Sequence, residues 1–269
     1  MPDDYAERPD SEGNKDRQFV TALARGLSVL RCWKSGDKYL GNRDIAARTG
    51  LPKPTVSRLT HTLTELGYLD YSETLEKYSL GVGVLALGHA YLANQSVREV
   101  ARPLMQALAE AFEATVLLGT PDQTHMVVVE VCHGNENFQL KRDVGQRVPH
   151  CTTALGRAYL AALPAPEREK AIRRLQTDSH GADWARARAG IDQACADYQR
   201  YGFVFSLGEW RPQVYAAGVP LVSQDGSRIF AINCSGPLYA MTRRRIVQDI
   251  GPRLLQMRDQ IISTLGGRF

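Results

Sequence analysis

The chain has 269 residues, a formal net charge of +4, 43% hydrophobic and 23% charged residues. That balance suits a globular protein of about two domains and argues against a disordered or fibrous chain. No apolar run nears the ~18 residues that would span a membrane, so no membrane association is expected. Residues 1–18, with six acids, three bases and no apolar stretch, read as a flexible tail and not a secretion signal, which predicts a cytoplasmic protein. The five cysteines (Cys32, Cys132, Cys151, Cys195, Cys234) are odd in number and widely spaced, as expected of reduced thiols.

In chain order, an amphipathic helix is expected from Phe19 to Trp33, where Leu23, Leu27 and Leu30 recur at i, i+4 and i+7. A short helix follows through Thr49, with Asn42 as its cap and Asp44 in its first turn. Gly50 supplies a tight turn, and Pro52 and Pro54 suit the first turn of a helix starting near residue 53. On that helix Val56, Leu59 and Leu63 face inward, while Thr55, Ser57, Arg58 and His61 are polar. Tyr68–Tyr71 and Lys77–Leu80 alternate as two strands around a polar turn. Three helices and a hairpin make a winged helix-turn-helix.

Charge agrees with a nucleic-acid partner. Phe19–Leu69 holds eight bases against three acids, a net +5, although the whole chain is only +4. Binding to a phosphate backbone draws on such an excess. Arg43, Lys53, Thr55, Ser57, Arg58, His61 and Lys77 are the candidate DNA-binding residues on double-stranded DNA.

After Gly81 and Gly83, the side chains of Val82, Val84, Leu85, Leu87, Tyr91 and Leu92 form an apolar helix that needs a partner, and a dimer seam is the favoured reading. Val97, Val100, Ala101, Leu104, Leu108 and Phe112 then mark a strongly amphipathic helix. Strands are expected at Thr115–Gly119, Met126–Val131 and Phe138–Lys141. Helices are expected at Thr152–Leu163, Pro166–Leu175 and Trp184–Tyr201. Three further strands (Phe203–Leu207, Tyr215–Val222, Arg228–Asn233) and a closing helix, Thr242–Leu265, complete an α+β second domain. The predicted organisation is a tail over 1–18, the DNA-binding domain over 19–80, a linker helix over 81–96 and an effector-binding domain over 97–269.

Taken together, Gly50–Leu69, the Gly145–Pro149 segment, the Thr153–Ala158 helix start, the Gly202–Trp210 strand and the Ser235-Gly236-Pro237 turn resemble the IclR family of bacterial transcriptional regulators. The resemblance runs from Phe19 to Leu265. It implies an N-terminal winged helix-turn-helix, a linker helix and a C-terminal GAF-like antiparallel sheet with flanking helices. It also implies homodimers or homotetramers on a pseudo-palindromic operator.

A ligand site is suggested independently at Cys151–Gly156, where a helix start presents backbone amides and the positive end of its dipole to an anion. The resemblance adds the residues Thr153, Ala154, Leu155, Ser206, Ala216, Asn233 and Ser235 as the effector pocket. Ser206 and Ala216 replace an acid and a cysteine found in a branch that binds small keto acids. Asn233 and Ser235 can donate hydrogen bonds, and Phe203, Phe205, Trp210 and Tyr215 are candidate walls for a flatter ligand, although residues alternating along a strand are more often hydrophobic core. A small carboxylate, benzoate-like among the candidates, is the expected effector.

No Walker loop, dinucleotide fingerprint or nucleophile elbow is present, and neither catalysis nor a cofactor is expected. His150-Cys151 and Cys132-His133 lack the paired spacing of a structural zinc site, so no metal is expected either. The alternative reading is an architectural DNA-binding protein whose C-terminal domain only oligomerises.

Overall fold

The structure, a computed structural model, describes residues 18–34, 36–134, 142–177 and 182–269. The chain divides between Tyr91 and Leu92 into two compact units.

The first unit contains α1 (Thr21–Arg31), α2 (Asn42–Thr49) and α3 (Lys53–Glu65), followed by the antiparallel pair β1 (Leu69–Ser72) and β2 (Lys77–Leu80). Val29, Ile45, Val56, Leu63 and Leu69 form its core. Gly50, at φ 69°, closes α2 by donating to the Ala46 carbonyl and frees the chain to turn into α3. Gly81 returns the wing to the helices: a Cβ there would lie 2.6 Å from the Gly67 carbonyl oxygen. Two expectations are corrected. Gly41, not Asn42, is the N-cap of α2, and the Asp44 carboxylate accepts from its N–H at 3.0 Å. Leu23 and Leu27 do not enter the core; they are 62% and 50% exposed, while Ser28 and Val29 turn inward. The helix α4 (Val82–Ala93) straddles the division between units and has no buried residue.

The second unit is built on a six-stranded antiparallel sheet. Its strands are β3 (Thr115–Asp122), β4 (His125–His133), β5 (Arg147–Pro149), β6 (Val204–Leu207), β7 (Val214–Val222) and β8 (Ile229–Pro237), in spatial order β5-β4-β3-β8-β7-β6. Because side chains alternate across a strand, each strand feeds two cores. On one face Val116, Leu118, Ala217, Val219, Ile232 and Cys234 pack with α5 (Ser96–Phe112) and α10 (Gly251–Thr264). On the other, Val204, Ala216 and Ala231 pack beneath α6 (Ala154–Ala162) and α8 (Ala182–Tyr201), with α7 (Ala165–Thr177) beside α6.

Sequence and structure differ in two places here. β8 continues four residues past Asn233, to Pro237. The closing helix is interrupted: α9 (Arg243–Arg245), capped by Thr242, runs through a π-helical turn at Ile246–Ile250 before Pro252 resumes the α-helix near its start. The strand expected at Phe138–Lys141 lies outside the described residues. No helix among them is long and apolar enough to cross a membrane.

Candidate functional site

On the first unit, α3 presents Lys53, Ser57, Arg58 and His61 to solvent, with Thr55 half-buried; Arg43 on α2 and Lys77 on the wing are also exposed. Val56, buried completely, and Leu63 anchor the opposite side of α3. The bases Arg43, Lys53, Arg58 and Lys77 pair with no carboxylate among the described residues. By contrast Arg48 is committed to structure, bonded to Asp37 and to the Cys32 carbonyl, and it holds the Asp37 carboxyl well down, to about 2. The surface of α3 is therefore a set of uncompensated donors on a firmly packed helix, suited to phosphates and base edges.

On the second unit, a cavity with about 420 Å³ of free space, its mouth included, lies between the start of α6 and the sheet. Thr153, Ala154, Leu155, Ser206, Ala216, Asn233 and Ser235 all line it, joined by Leu117, Arg142, Val148, Trp210 and Val214. Register explains the convergence. Ser206, Ala216, Ser235 and Thr115 lie side by side across β6, β7, β8 and β3, and Val204, Gly218, Asn233 and Leu117 form the row two residues away. Gly218 sits under the start of α6, where a Cβ would come within 2.6 Å of the Ala154 carbonyl oxygen. Gly119 likewise admits Leu155, whose Cδ2 would be 2.7 Å from an added Cβ. Two glycines thus let a helix N-terminus descend onto the sheet.

Thr153 caps α6: its hydroxyl accepts from the Gly156 N–H at 3.1 Å and donates to the Pro149 carbonyl at 2.6 Å. The Ala154 and Leu155 amides of the first turn have no intrahelical acceptor. Asn233 is 5% exposed, and its Oδ1 has no hydrogen-bond partner. The Ser235 hydroxyl, expected as a donor to ligand, instead donates to the Thr115 carbonyl at 3.1 Å, which leaves it only acceptor capacity. Ser206 is similarly engaged, at 2.7 Å from the Thr152 carbonyl oxygen and 3.0 Å from Glu209 Oε2.

Of the four aromatics, three are hydrophobic core and one is a cavity wall. Phe203, Phe205 and Tyr215 pack in the core on the opposite face of the sheet, because the strand alternation that sends Ser206 and Ala216 to the cavity sends them away from it. Trp210 alone of the four lines the cavity, on the loop between β6 and β7. Glu209 ties that loop down: its carboxylate accepts from Leu207 N and from Arg157, whose side chain is 3% exposed and also donates to the Cys151 and Phe205 carbonyls. Burial pushes the Glu209 carboxyl up, but the bond and charge of Arg157 outweigh it and hold the group below its usual range. Arg142 was not foreseen; its guanidinium stands 4.4 Å from the Trp210 ring centre. Its position three residues before the Gly145–Pro149 segment was the one available signal.

The Cys–His pairs serve other ends. Cys132 lies in the core and burial raises its thiol to about 11, while His133 Nδ1 meets the Thr115 hydroxyl at 3.2 Å. His150 stacks on Tyr159 at 4.9 Å. Among the described residues no three His, Cys, Asp or Glu side chains come together to hold a metal ion.

The signature described as IclR helix-turn-helix domain matches residues 22–73, and that described as Bacterial transcriptional regulator IclR C-terminal matches residues 89–263. The chain belongs to the IclR family of transcriptional regulators. It is 35% identical to the HTH-type transcriptional regulator TsaQ1/TsaQ2 of Comamonas testosteroni over 96% of this chain and 92% of that one. An IclR family transcriptional regulator from Brucella abortus superposes with a TM-score of 0.89 at 42% identity, over 97% of each chain. An IclR homologue from Microbacterium hydrocarbonoxydans, solved with 4-hydroxybenzoate, shares the fold at 20% identity and a TM-score of 0.71, over 91% of this chain and 99% of that one. The helix-turn-helix match takes in α1 to β1 and so contains all of α3; the C-terminal match contains every residue lining the cavity.

Proposed function

We propose that this IclR-family regulator acts in the cytoplasm on double-stranded DNA and that a small carboxylate, aromatic in character, occupies the cavity under α6 and alters operator affinity. The observation that carries the ligand reading is the cavity's polar content. Seven residues singled out from the sequence surround one space, and among them Asn233 is buried with an unpartnered Oδ1, an arrangement that costs stability unless something binds there. A fold used only for oligomerisation has no need of it. The Microbacterium neighbour supports the aromatic part, since an IclR homologue of the same fold was solved with 4-hydroxybenzoate.

On DNA, α3 enters the major groove, with Thr55, Ser57, Arg58 and His61 toward base edges and Arg43, Lys53 and Lys77 toward phosphates. The exposed apolar side chains of Val82, Leu85, Leu87 and Tyr91 on α4, with those of Phe19, Val20, Leu23 and Leu27 at α1, form the seam of a homodimer or homotetramer. A pseudo-palindromic operator with half-sites about 10 base pairs apart fits such a pair.

The test uses the full-length protein: a thermal-shift screen against small carboxylic acids, with operator binding measured with and without each hit. A compound that raises the unfolding temperature and changes operator affinity is expected, because a ligand selective for the folded state stabilises it. DNA binding that no acid alters, from a protein that no acid stabilises, would leave the architectural reading standing. A monomer in sedimentation equilibrium would overturn the dimer.

A further inference from the structure

The anion-binding feature read from the sequence, the start of α6, is partly consumed: Thr153 already occupies the Gly156 amide. A stronger cationic group faces the same space. Arg142 lines the cavity with its guanidinium 4.4 Å from the centre of the Trp210 ring, and the exposed Arg211 brings a second guanidinium to 4.3 Å from that ring. Two like charges therefore converge on one indole.

Neither arginine has a carboxylate partner among the described residues. The nearby acid, Glu209, is already taken by Arg157. Among the described residues Arg142 donates to the neutral Gln146 Oε1, at 3.2 Å, a contact that uses one of its five N–H donors. Stacking on the indole fixes the guanidinium plane, and a fixed fork is what a bidentate carboxylate contact requires. Burial and the charge of Arg211 both act against the cation, pushing the Arg142 pKa down, although an arginine stays charged. An incoming anion relieves both penalties.

We infer that Arg142 is the residue that recognises the effector's carboxylate, with Trp210 holding it in place and offering its ring to a planar ligand. This rests on the reading of the cavity as the effector site. It assigns selectivity for an anion over an equally shaped neutral molecule to Arg142, and leaves the α6 amides and Asn233 to position the ligand.

The test is calorimetric titration of the full-length protein with benzoate and 4-hydroxybenzoate, each beside its neutral amide, benzamide and 4-hydroxybenzamide. The wild type should favour acid over amide. Arg142→Gln should lose roughly 10- to 100-fold in affinity for the acids, the worth of a charge-assisted hydrogen bond, and lose far less for the amides, so that the preference for acid over amide collapses. Arg142→Lys should recover part of the loss. Acids bound as tightly by Arg142→Gln as by the wild type would overturn the assignment while leaving the cavity as the ligand site, and Ala154→Asp would then show whether the α6 start holds the carboxylate. Failure of the wild type to bind any of the four compounds at millimolar concentration would overturn the aromatic-acid reading, and this assignment with it.

Discussion

The recognition helix and the cavity under α6 carry their polar groups in opposite ways. Lys53, Ser57, Arg58 and His61 reach into water from one helix of 13 residues, and the fold asks nothing of their outer ends. Arg157, Ser206, Asn233 and Ser235 are buried and brought together from distant segments; the Ser235 to Thr115 hydrogen bond alone spans 120 residues. A surface meant for a polyanion keeps its own hydration until the partner displaces it. A site for a small molecule bears its desolvation in advance, so its groups are tied to stability as well as binding. Substitutions on α3 should therefore change affinity and leave folding alone, whereas those around the cavity should cost stability wherever the group is already bonded within the protein.

The largest expected effect lies with Arg157. Its side chain is 3% exposed, bonds Glu209 at 2.8 Å and the Cys151 carbonyl at 2.9 Å, and lies so close to Gly190 that a Cβ there would meet Nη2 at 2.1 Å. Arg157→Ala strands Glu209 and two carbonyls, and should destabilise the C-terminal unit by about 3 to 5 kcal/mol. Urea unfolding followed by circular dichroism measures this. The same experiment on Arg58→Ala should give a change within about 0.5 kcal/mol, as for other surface positions. Equal losses in the two variants would erase the distinction between the regions.

That distinction also governs what was legible in the sequence. The helix-turn-helix is local: Gly50, Pro52, Pro54 and the spacing of Val56, Leu59 and Leu63 specify its turn and its packed face within fourteen residues. Periodicity shows that a face is apolar but not what covers it, which is why Leu23 and Leu27 read as core and are exposed. In the sheet the difficulty is greater, since helices cover both faces and either set of alternating residues is apolar. Alternation alone therefore leaves Phe203 and Phe205 readable as cavity wall or as core, and they are core, behind the cavity. Gly218 and Gly119 set the seat of α6, yet their roles depend on the Ala154 carbonyl and the Leu155 side chain, which arrive from 64 and 36 positions away in sequence, respectively. The helix start at Cys151–Gly156 is legible from its own chemistry, but the sheet side of the cavity is reached only through family resemblance, because no local pattern marks the row formed by Ser206, Ala216 and Ser235.

The exposed face can be tested for base reading as against phosphate contact. Arg58→Ala should cost about 1 to 3 kcal/mol on the preferred operator and relax discrimination at one position, as for a bidentate base contact. Lys53→Ala should weaken all sequences alike and lower the slope of log affinity against log salt by about 1. Competition titrations over a range of salt concentrations distinguish the two; identical salt slopes and preserved discrimination in both variants would exclude this docking of α3.

A smaller effect is expected from pH. Burial, with His125 and Arg147 nearby, pushes the His150 pKa down to about 3. The unfolded chain protonates this group near 6.5 and the folded chain does not. Its contribution is therefore full above pH 6.5 and declines as pH falls toward 3. Between pH 7 and 5 the loss amounts to about 2 kcal/mol at 1.36 kcal/mol per unit. Asp37 and Asp225, both held down to about 2, lose their contributions only below about pH 4, outside that window. His150→Phe should flatten stability across it, and parallel pH curves for variant and wild type would remove the explanation.

The smallest effect sharpens the comparison inside the cavity, where Ser235 and Asn233 face the same space with different commitments. Ser235 spends its proton on the Thr115 carbonyl, so Ser235→Ala should lower stability by about 0.5 to 1.5 kcal/mol and leave carboxylate binding nearly unchanged. Asn233 has an oxygen with no partner, so Asn233→Ala should sacrifice ligand affinity at little cost to the unliganded fold, because removing an unsatisfied buried group offsets the lost packing. Melting temperatures of the two variants, taken with and without a ligand from the acid panel, separate these outcomes. Equal loss of ligand stabilisation in both would mean that the Ser235 hydroxyl leaves Thr115 and turns to the ligand, making it part of the recognition surface and not of the sheet.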